Sequence, residues 1–429
     1  MAALLFISLF VLMFLSVPIA LALAASSALV GYIYYPQLNL VALLAQAIVT
    51  TADSFPLMAI PFFMLVGTFM DKSGLSTEVI DAAEALVGDI PGGLGASTVV
   101  ACMIFAAISG SGPAVVAALG TILVPAMVGR GYSASYAGAL TAAGATIGPV
   151  IPPSIPMIVY SVVVGVSTVA MFTGGFLPGI LMGSFLILVN YLIAKKRGYA
   201  GKPREGGFLG ALKQCWGARW ALLLPFIILG GIYGGLFTPT EAAVVGSSYA
   251  LVIGVLKKTL NIGKIKDAMV EAALLSCLAM FVLGGATTFG RLLMLERIPQ
   301  MLAQQMLGLT KSPLIIMGLI MVFLLITGCF IDTISNVVLF APLFAPVAKA
   351  LNYDLVFFGV LMTVNLCIGM ITPPVGVNLY VAQGVCKAPF DQVIKESIPL
   401  LFTLIGSMVV MLLFPELVLF LPRALGLLR

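Results

Sequence analysis

Residues 172–194 run for 23 positions without a single charged side chain. An α-helix rises about 1.5 Å per residue, so such a stretch can cross the roughly 30 Å hydrocarbon core of a bilayer. Comparable stretches recur along all 429 residues. Charged residues make up 9% of the chain, against about 25% in soluble domains, and the mean hydropathy is +1.19. In lipid every backbone amide and carbonyl must be satisfied within the protein, which leaves helices and closed barrels. The apolar runs are long and do not alternate, so the expected class is an all-α polytopic membrane protein.

Composition removes several functions. The chain has no histidine, which excludes histidine triads, histidine metal sites and the usual neutral-pH proton shuttle. No Walker A pattern occurs, so uphill work would draw on an ion gradient or on a separate ATPase. The net charge of +5 comes from a few Lys/Arg clusters in polar connections, a topology signal and not a nucleic-acid face. Cys102, Cys215, Cys277, Cys329, Cys367 and Cys386 show neither paired nor metal-like spacing and read as buried, inert thiols. The apolar start lacks a basic leader and runs on to Tyr35, so it reads as part of the mature chain.

Sliding the chain along itself by 221 positions gives a gapless match. Pro18 falls on Pro239, Pro125 on Pro346, Tyr132 on Tyr353, Ile147-Gly148 on Ile368-Gly369, and Pro178 on Pro399. Residues that shape backbone thus recur in one register, the mark of a secondary transporter with two repeats, here 1–200 and 219–429 around a cytoplasmic linker, 201–218. Positive short loops stay cytoplasmic, so Lys195, Lys196, Arg197, Lys202, Arg204, Lys213 and Arg219 place the linker inside. Two apolar segments then go out and return to Lys257, Lys258, Lys264 and Lys266, again inside. The matching connection in the first half, 36–54, reads as a loop without Lys or Arg. Opposite charge at equivalent places implies inverted topology. Lys72 and Arg130 inside agree, whereas Arg291, Arg297, Lys311 and Lys349 fall outside, against the rule.

Each half then reads as two scaffold crossings, a third crossing (56–70 and 268–290) and a short amphipathic arm helix (75–87 and 296–309). Segments 94–129 and 313–349 each hold two apolar runs too short to span separately, split by SGSGP (109–113) and GCFIDTISN (328–336). These are expected to be re-entrant hairpins. Each precedes a broken helix, 134–168 interrupted at GPVIPPSIP (148–156) and 353–387 interrupted at GMITPPVG (369–376). A last helix closes each half, at 172–194 and 397–422.

Non-helical backbone at membrane depth survives only where protein or a watery cavity satisfies it, so these breaks mark sites. Half-helix N-termini attract an anion, and half-helix C-termini with freed carbonyls suit a cation. Oxygen ligands for Na+ are therefore expected from Ser109, Gly110, Ser111, Gly112, Thr146 and Gly148 in the first half. The second half offers Gly328, Asp332, Ser335, Asn336, Asn365, Gly369 and Thr372, giving two or more sites. Ser154, Thr372 and Asn378, beside the double prolines Pro152-Pro153 and Pro373-Pro374, are expected to hold an organic anion. Gly–Ser runs also serve as close-packing faces between membrane helices, and Asp332 could equally cap the helix that follows it. Two runs at matching register, each followed by a matching double proline, favour sites. Re-entrant hairpins also build channel filters, so a passive channel is the alternative to a secondary transporter. An intramembrane enzyme is opposed by the missing histidine and the lack of a convincing carboxylate pair.

The phrases DSFPLMAIPFF (53–63), SGSGPA (109–114), TIGPVIPPSIPM (146–157), LPFIILGGIYGGLFTPTEAA (224–243) and NLCIGMITPPVG (365–376) closely resemble the large membrane subunit of TRAP (tripartite ATP-independent periplasmic) transporters. The resemblance covers essentially the whole chain. It implies an elevator-type fold of the ion transporter superfamily, with a scaffold and a mobile transport domain carrying both hairpins. It implies sodium-coupled import of an organic acid across the bacterial inner membrane. Two partners are also implied: a separate small four-helix membrane subunit and a periplasmic substrate-binding protein. Family substrates are mostly carboxylates, including sialic acid and four-carbon dicarboxylates, and the SGSGP tip resembles the sialic-acid branch.

Overall fold

The computed structural model describes residues 1–37, 39–201, 207–310 and 312–428, and every regular element among them is helical. Lys202, Arg204 and Lys311, and the side chain of Ser109, lie outside the described residues. The first repeat comprises α1 (Ala2–Phe14), α2 (Ile19–Tyr34), α3 (Leu40–Ala52), a 3-10 turn (Phe55–Met58), α4 (Ala59–Lys72), α5 (Leu75–Val87), α6 (Gly93–Ser109), α7 (Gly112–Gly129), α8 (Ala134–Ala145), α9 (Ile155–Val164) and α10 (Thr168–Arg197). After α11 (Gly207–Gly217) come α12 (Arg219–Tyr233), α13 (Pro239–Leu256), α14 (Ile262–Leu295), α15 (Ile298–Leu309), α16 (Pro313–Gly328), α17 (Thr333–Ala350), α18 (Leu355–Gly369), α19 (Val377–Cys386), α20 (Phe390–Leu413) and α21 (Glu416–Ala424). The 221-residue shift carries α7 onto α17 end for end, and α6, α8 and α9 onto α16, α18 and α19 within a few residues. Seven helices among the described residues are long and apolar enough to cross a membrane.

Several expectations change. Segment 36–54 is no loop, because α3 occupies it, started by Asn39, whose side chain accepts from the Ala42 amide at 3.1 Å. In the second repeat α3 and α4 have one counterpart, the unbroken 34-residue α14. The chemical reason is local: Pro56 sits in the first turn after the first-repeat break, and its mate is Cys277, which leaves the helical ladder intact. The second hairpin arms, α7 and α17, are 18 residues each, long enough to span and not the short runs expected. The linker holds α11, which packs on α5. The last helix stops at Leu413 and resumes as α21 after Pro415. Cys277 is exposed and Cys215 half-buried, so only four of the six thiols are buried.

Packing divides the chain into two bundles. In one, α4 lies against α13 and α2 against α14, contacts that the repeat operation exchanges. Gly285 of α14 lets the helices close, since a Cβ there would stand 2.8 Å from the Ala20 carbonyl oxygen. In the other, α6 packs on α8 and α16 on α18, while α7 crosses to α19 and α17 to α9. The second halves of the broken helices therefore swap between repeats.

Side-chain pairs follow the inverted topology. Lys72–Glu271 (3.2 Å), Glu84–Arg130 (2.6 Å), Arg197–Glu396 (2.8 Å) and Glu78–Lys257 each join segments assigned to the inner side. On the outer side the Tyr35 hydroxyl donates to Glu296 at 2.5 Å, which raises the phenol's pKa. The inner end of α10 is further fixed by Asn190, fully buried, which donates to the Gly92 carbonyl and accepts from the Tyr136 hydroxyl, both at 3.0 Å.

Candidate transport site

The hairpin tips land on the helix breaks of their own repeats. Gly110, at φ +60° in the α6–α7 turn, adopts a left-handed conformation that favours glycine, and a Cβ there would meet the Pro153 carbonyl oxygen at 3.2 Å. Gly148 faces Ser111 in the same way, its Cβ position 3.6 Å from the Ser111 carbonyl carbon. At the second tip the approach is backbone on backbone. A Cβ on Gly369 would stand 2.6–2.8 Å from three atoms of Gly328, and the Gly376 amide donates to the Cys329 carbonyl at 3.3 Å. Both Pro152-Pro153 and Pro373-Pro374 hold cis bonds.

One residue ties the repeats together at this level. Asn378, in the first turn of α19, is fully buried; its amide donates to the Met370 carbonyl (3.0 Å) and its Nδ2 to the Ala142 carbonyl of α8 (3.3 Å). It also faces the start of α7: a Cβ on Gly112 would lie 3.0 Å from both its amide atoms and 3.1 Å from Met370 Sδ. Its Oδ1 is buried without a partner. The same holds for Oδ1 of Asn336 and Asn365 and Oγ1 of Thr333. Unpaired buried acceptors are rare enough in native proteins that each asks for a ligand, an ion or water. In the first repeat their mates are Met157, Val115, Gly144 and Gly112, so side-chain oxygens cluster in the second repeat while the first offers mainly backbone.

Three hydroxyl protons near the breaks are already committed. Thr146 donates to Ala143 O at 2.6 Å, Thr372 to Ile368 O at 2.9 Å, and Ser154 to Pro149 O while its oxygen caps α9 through the Met157 amide. A hydroxyl has one proton, so these oxygens present lone pairs outward, which suits a cation better than an anion. Asp332 takes the cap role: its carboxylate accepts from the Ser335 amide (3.0 Å) and the Ser335 hydroxyl, and its side chain is exposed at the tip. Asn336 closes that turn by donating to Ile331 O at 2.8 Å, and Asn365 anchors α18 to α16 through Met321 O at 2.6 Å.

Helix ends sort by sign. The starts of α7 and α19 meet at Gly112 and Asn378, and neither start is capped by a side chain. The ends of α16 and α18 meet at Gly328 and Gly369. One junction is therefore electropositive and the other electronegative. Gly112 and Asn378 mark the first junction, and Gly328, Gly369 and Thr372 the second, while Gly110, Ser111, Gly148 and Pro153 come together just past the ends of α6 and α8, a C-terminal junction that is the first repeat's counterpart of the second. Met370 and Thr333 were not singled out from sequence. Thr333 sits inside the GCFIDTISN phrase as the mate of Gly112, a pairing that would have drawn attention to it.

Comparison with known proteins decides the family. The profile of the tripartite ATP-independent periplasmic transporter DctM component matches residues 6–417. The chain belongs to that family. An isethionate TRAP transporter permease protein of Oleidesulfovibrio alaskensis is 41% identical over 97% of the chain, which spans only 65% of that relative. A C4-dicarboxylate TRAP transporter large permease protein of Vibrio cholerae is 38% identical over 92% of both chains. Crystal coordinates of the Alcanivorax borkumensis YdaH transporter superpose with a TM-score of 0.64 over 92% of this chain and 95% of that one, at 15% identity, a likeness of fold. This DctM-family chain is thus a large permease component, not an enzyme, and a multi-pass protein of the bacterial inner membrane with two inverted repeats, hairpins and broken helices.

Proposed function

We propose that the chain is the translocating subunit of a sodium-coupled importer of organic acid anions, in which hairpins and broken helices move together past the scaffold. The carrying observation is the sorting of helix ends. Uncapped N-termini at Gly112 and Asn378 suit a carboxylate or sulfonate, and paired C-termini at Gly328–Gly369, with Asn336 and Asn365 oxygens beside them, suit Na+. The loop 370–376 links the two: Met370 holds Asn378, and Gly376 holds the tip of the second hairpin through Cys329. Ordering this loop around the cation lowers the cost of ordering it around the anion, which is how two ligands become coupled. In the first repeat, Gly110, Ser111, Thr146 and Gly148, just past the C-terminal ends of α6 and α8, supply the second cation site, with Ser109 the last residue of α6.

Partners follow the tripartite arrangement: a small four-helix membrane subunit and a periplasmic binding protein that delivers the substrate. The names of the relatives, isethionate and C4-dicarboxylate permeases, frame the substrate as a small organic acid, and sialic acid belongs in the same test. Vesicles containing the full assembly should accumulate one of these acids when an inward Na+ gradient is imposed. Accumulation that persists with choline in place of sodium would sink the coupling, and a steady current without accumulation would show a channel.

A further inference from the structure

Where arm helix α15 meets the second hairpin, the structure leaves a cavity of about 440 Å³ that opens at the molecular surface. Three parts of the molecule wall it: Phe6 and Phe10 from α1, Leu302 and Met306 from one face of α15, and Phe323 and Phe344 from the two hairpin arms. No lining side chain is polar. A cavity of this kind stays dry, because water would find no partners, and left empty it forfeits dispersion contact along every wall. Apolar matter must fill it.

The surroundings say which. Met301, Leu319 and Val322 on the same helices are 55%, 48% and 58% exposed, so the mouth faces membrane hydrocarbon. A partner helix is about 10 Å across, and this volume would admit only about one turn of it. Arg297 stands immediately before α15, exposed and without a side-chain partner among the described residues. It lies on the outer side, where basic residues are disfavoured, so its placement asks for an anionic partner. The repeat operation does not generate this site: the mates of Arg297, Leu302, Met306 and Phe323 are Ser76, Asp81, Ala85 and Cys102.

We infer that the cavity holds one acyl chain of an outer-leaflet phospholipid, with the lipid phosphate at Arg297. The chain lies between scaffold helix α1 and the hairpin, at the surface along which the two bundles would slide.

The test uses the full chain with the subunits that co-purify, in vesicles of phosphatidylethanolamine and phosphatidylglycerol carrying a trace of phosphatidylethanolamine with a mid-chain diazirine. After irradiation, label on α15, α16 and α17 should exceed label on lipid-facing Leu274 and Leu278 by about fivefold or more, a preference of roughly 1 kcal/mol at 1.4 kcal/mol per decade. Leu302→Trp, which fills the cavity, and Arg297→Glu, which repels the phosphate, should each remove that excess. Arg297→Glu lies at the surface and carries the test if the cavity variant does not fold. Label spread evenly over all lipid-facing helices overturns the inference, as does label that falls on a co-purified subunit and leaves α15, α16 and α17 bare.

Discussion

Asn378 is a buried side chain whose amide nitrogen is used and whose amide oxygen is not, placed at a junction of two positive helix ends. Replacing it with leucine removes both the α8 tether and the polar lining at Gly112. The Asn378 Nδ2 spends one proton on Ala142 O and keeps a second that an anion can accept. A hydrogen bond to a charged group is worth about 1.5–3 kcal/mol, so Asn378→Leu should raise the half-saturating substrate concentration about 10–100-fold in a vesicle uptake assay. Gly369→Ala acts at the other junction. Its Cβ would overlap Gly328 at 2.6–2.8 Å, backbone that cannot step aside without moving the hairpin tip. The sodium concentration for half-maximal uptake should therefore rise while the substrate dependence at saturating sodium changes little; an unchanged sodium curve would place the cation elsewhere. These atoms explain what sequence could and could not disclose. Glycines, hydroxyls and amides near the double prolines are visible in the chain, but whether a hydroxyl spends its proton on its own helix, as Thr146 and Thr372 do, depends on a turn geometry that residue types do not encode. Asp332 shows the same limit: a carboxylate before a helix serves as a cap or as a ligand, and its exposed position with the Ser335 amide in hand makes the cap.

At the scale of elements, the two arms have diverged. Inner arm α5 presents Glu78, Asp81 and Glu84 three residues apart, tied to the scaffold through Lys257 and to the first hairpin through Arg130. The mates on outer arm α15 are Pro299, Leu302 and Gln305, and that arm meets its hairpin through apolar side chains. Partial desolvation against the arm first, then the charges of Glu84 and Glu78, raise the carboxyl of Asp81, a residue that stays exposed, above its ordinary value of 3.8. A raised carboxyl pKa means that ionising Asp81 costs the folded state, a penalty fully present above the folded pKa and absent below 3.8. Asp81→Asn should accordingly raise the thermal midpoint at neutral pH and leave it unchanged in acid, where both forms are neutral. Reversing one charge, in Arg130→Glu, places like charges together and should lower the midpoint, with recovery in the Glu84→Arg/Arg130→Glu double variant; a partly exposed pair of this kind contributes about 1 kcal/mol or less. The arms, the hairpin limits and both breaks could be read from the chain because prolines and glycines punctuate them at one register. Helix α3 could not, since its apolar run is 13 residues long, too short for a span, and a missing charge signals a side and not a shape.

For the whole molecule, the repeat operation makes a prediction that no single helix can make. Val128 and Lys349 are 221 residues apart, in the last turns of α7 and α17, and both are exposed. Under inverted topology equivalent residues face opposite sides of the membrane, which puts Val128 beside the inner pair Glu84–Arg130 and Lys349 outside, against the usual distribution of basic residues. The charge pattern alone leaves this open, whereas the side-chain pairs bring inner segments together with inner segments, and Tyr35 with Glu296 on the other face. In a chain whose six cysteines are replaced by serine or alanine, a membrane-impermeant maleimide added to right-side-out vesicles should label Lys349→Cys and spare Val128→Cys. Inverted vesicles should give the reverse. Labelling of both from one side would mean parallel repeats, and with them the two oppositely directed hairpins, and the junction of helix ends between them, would be lost.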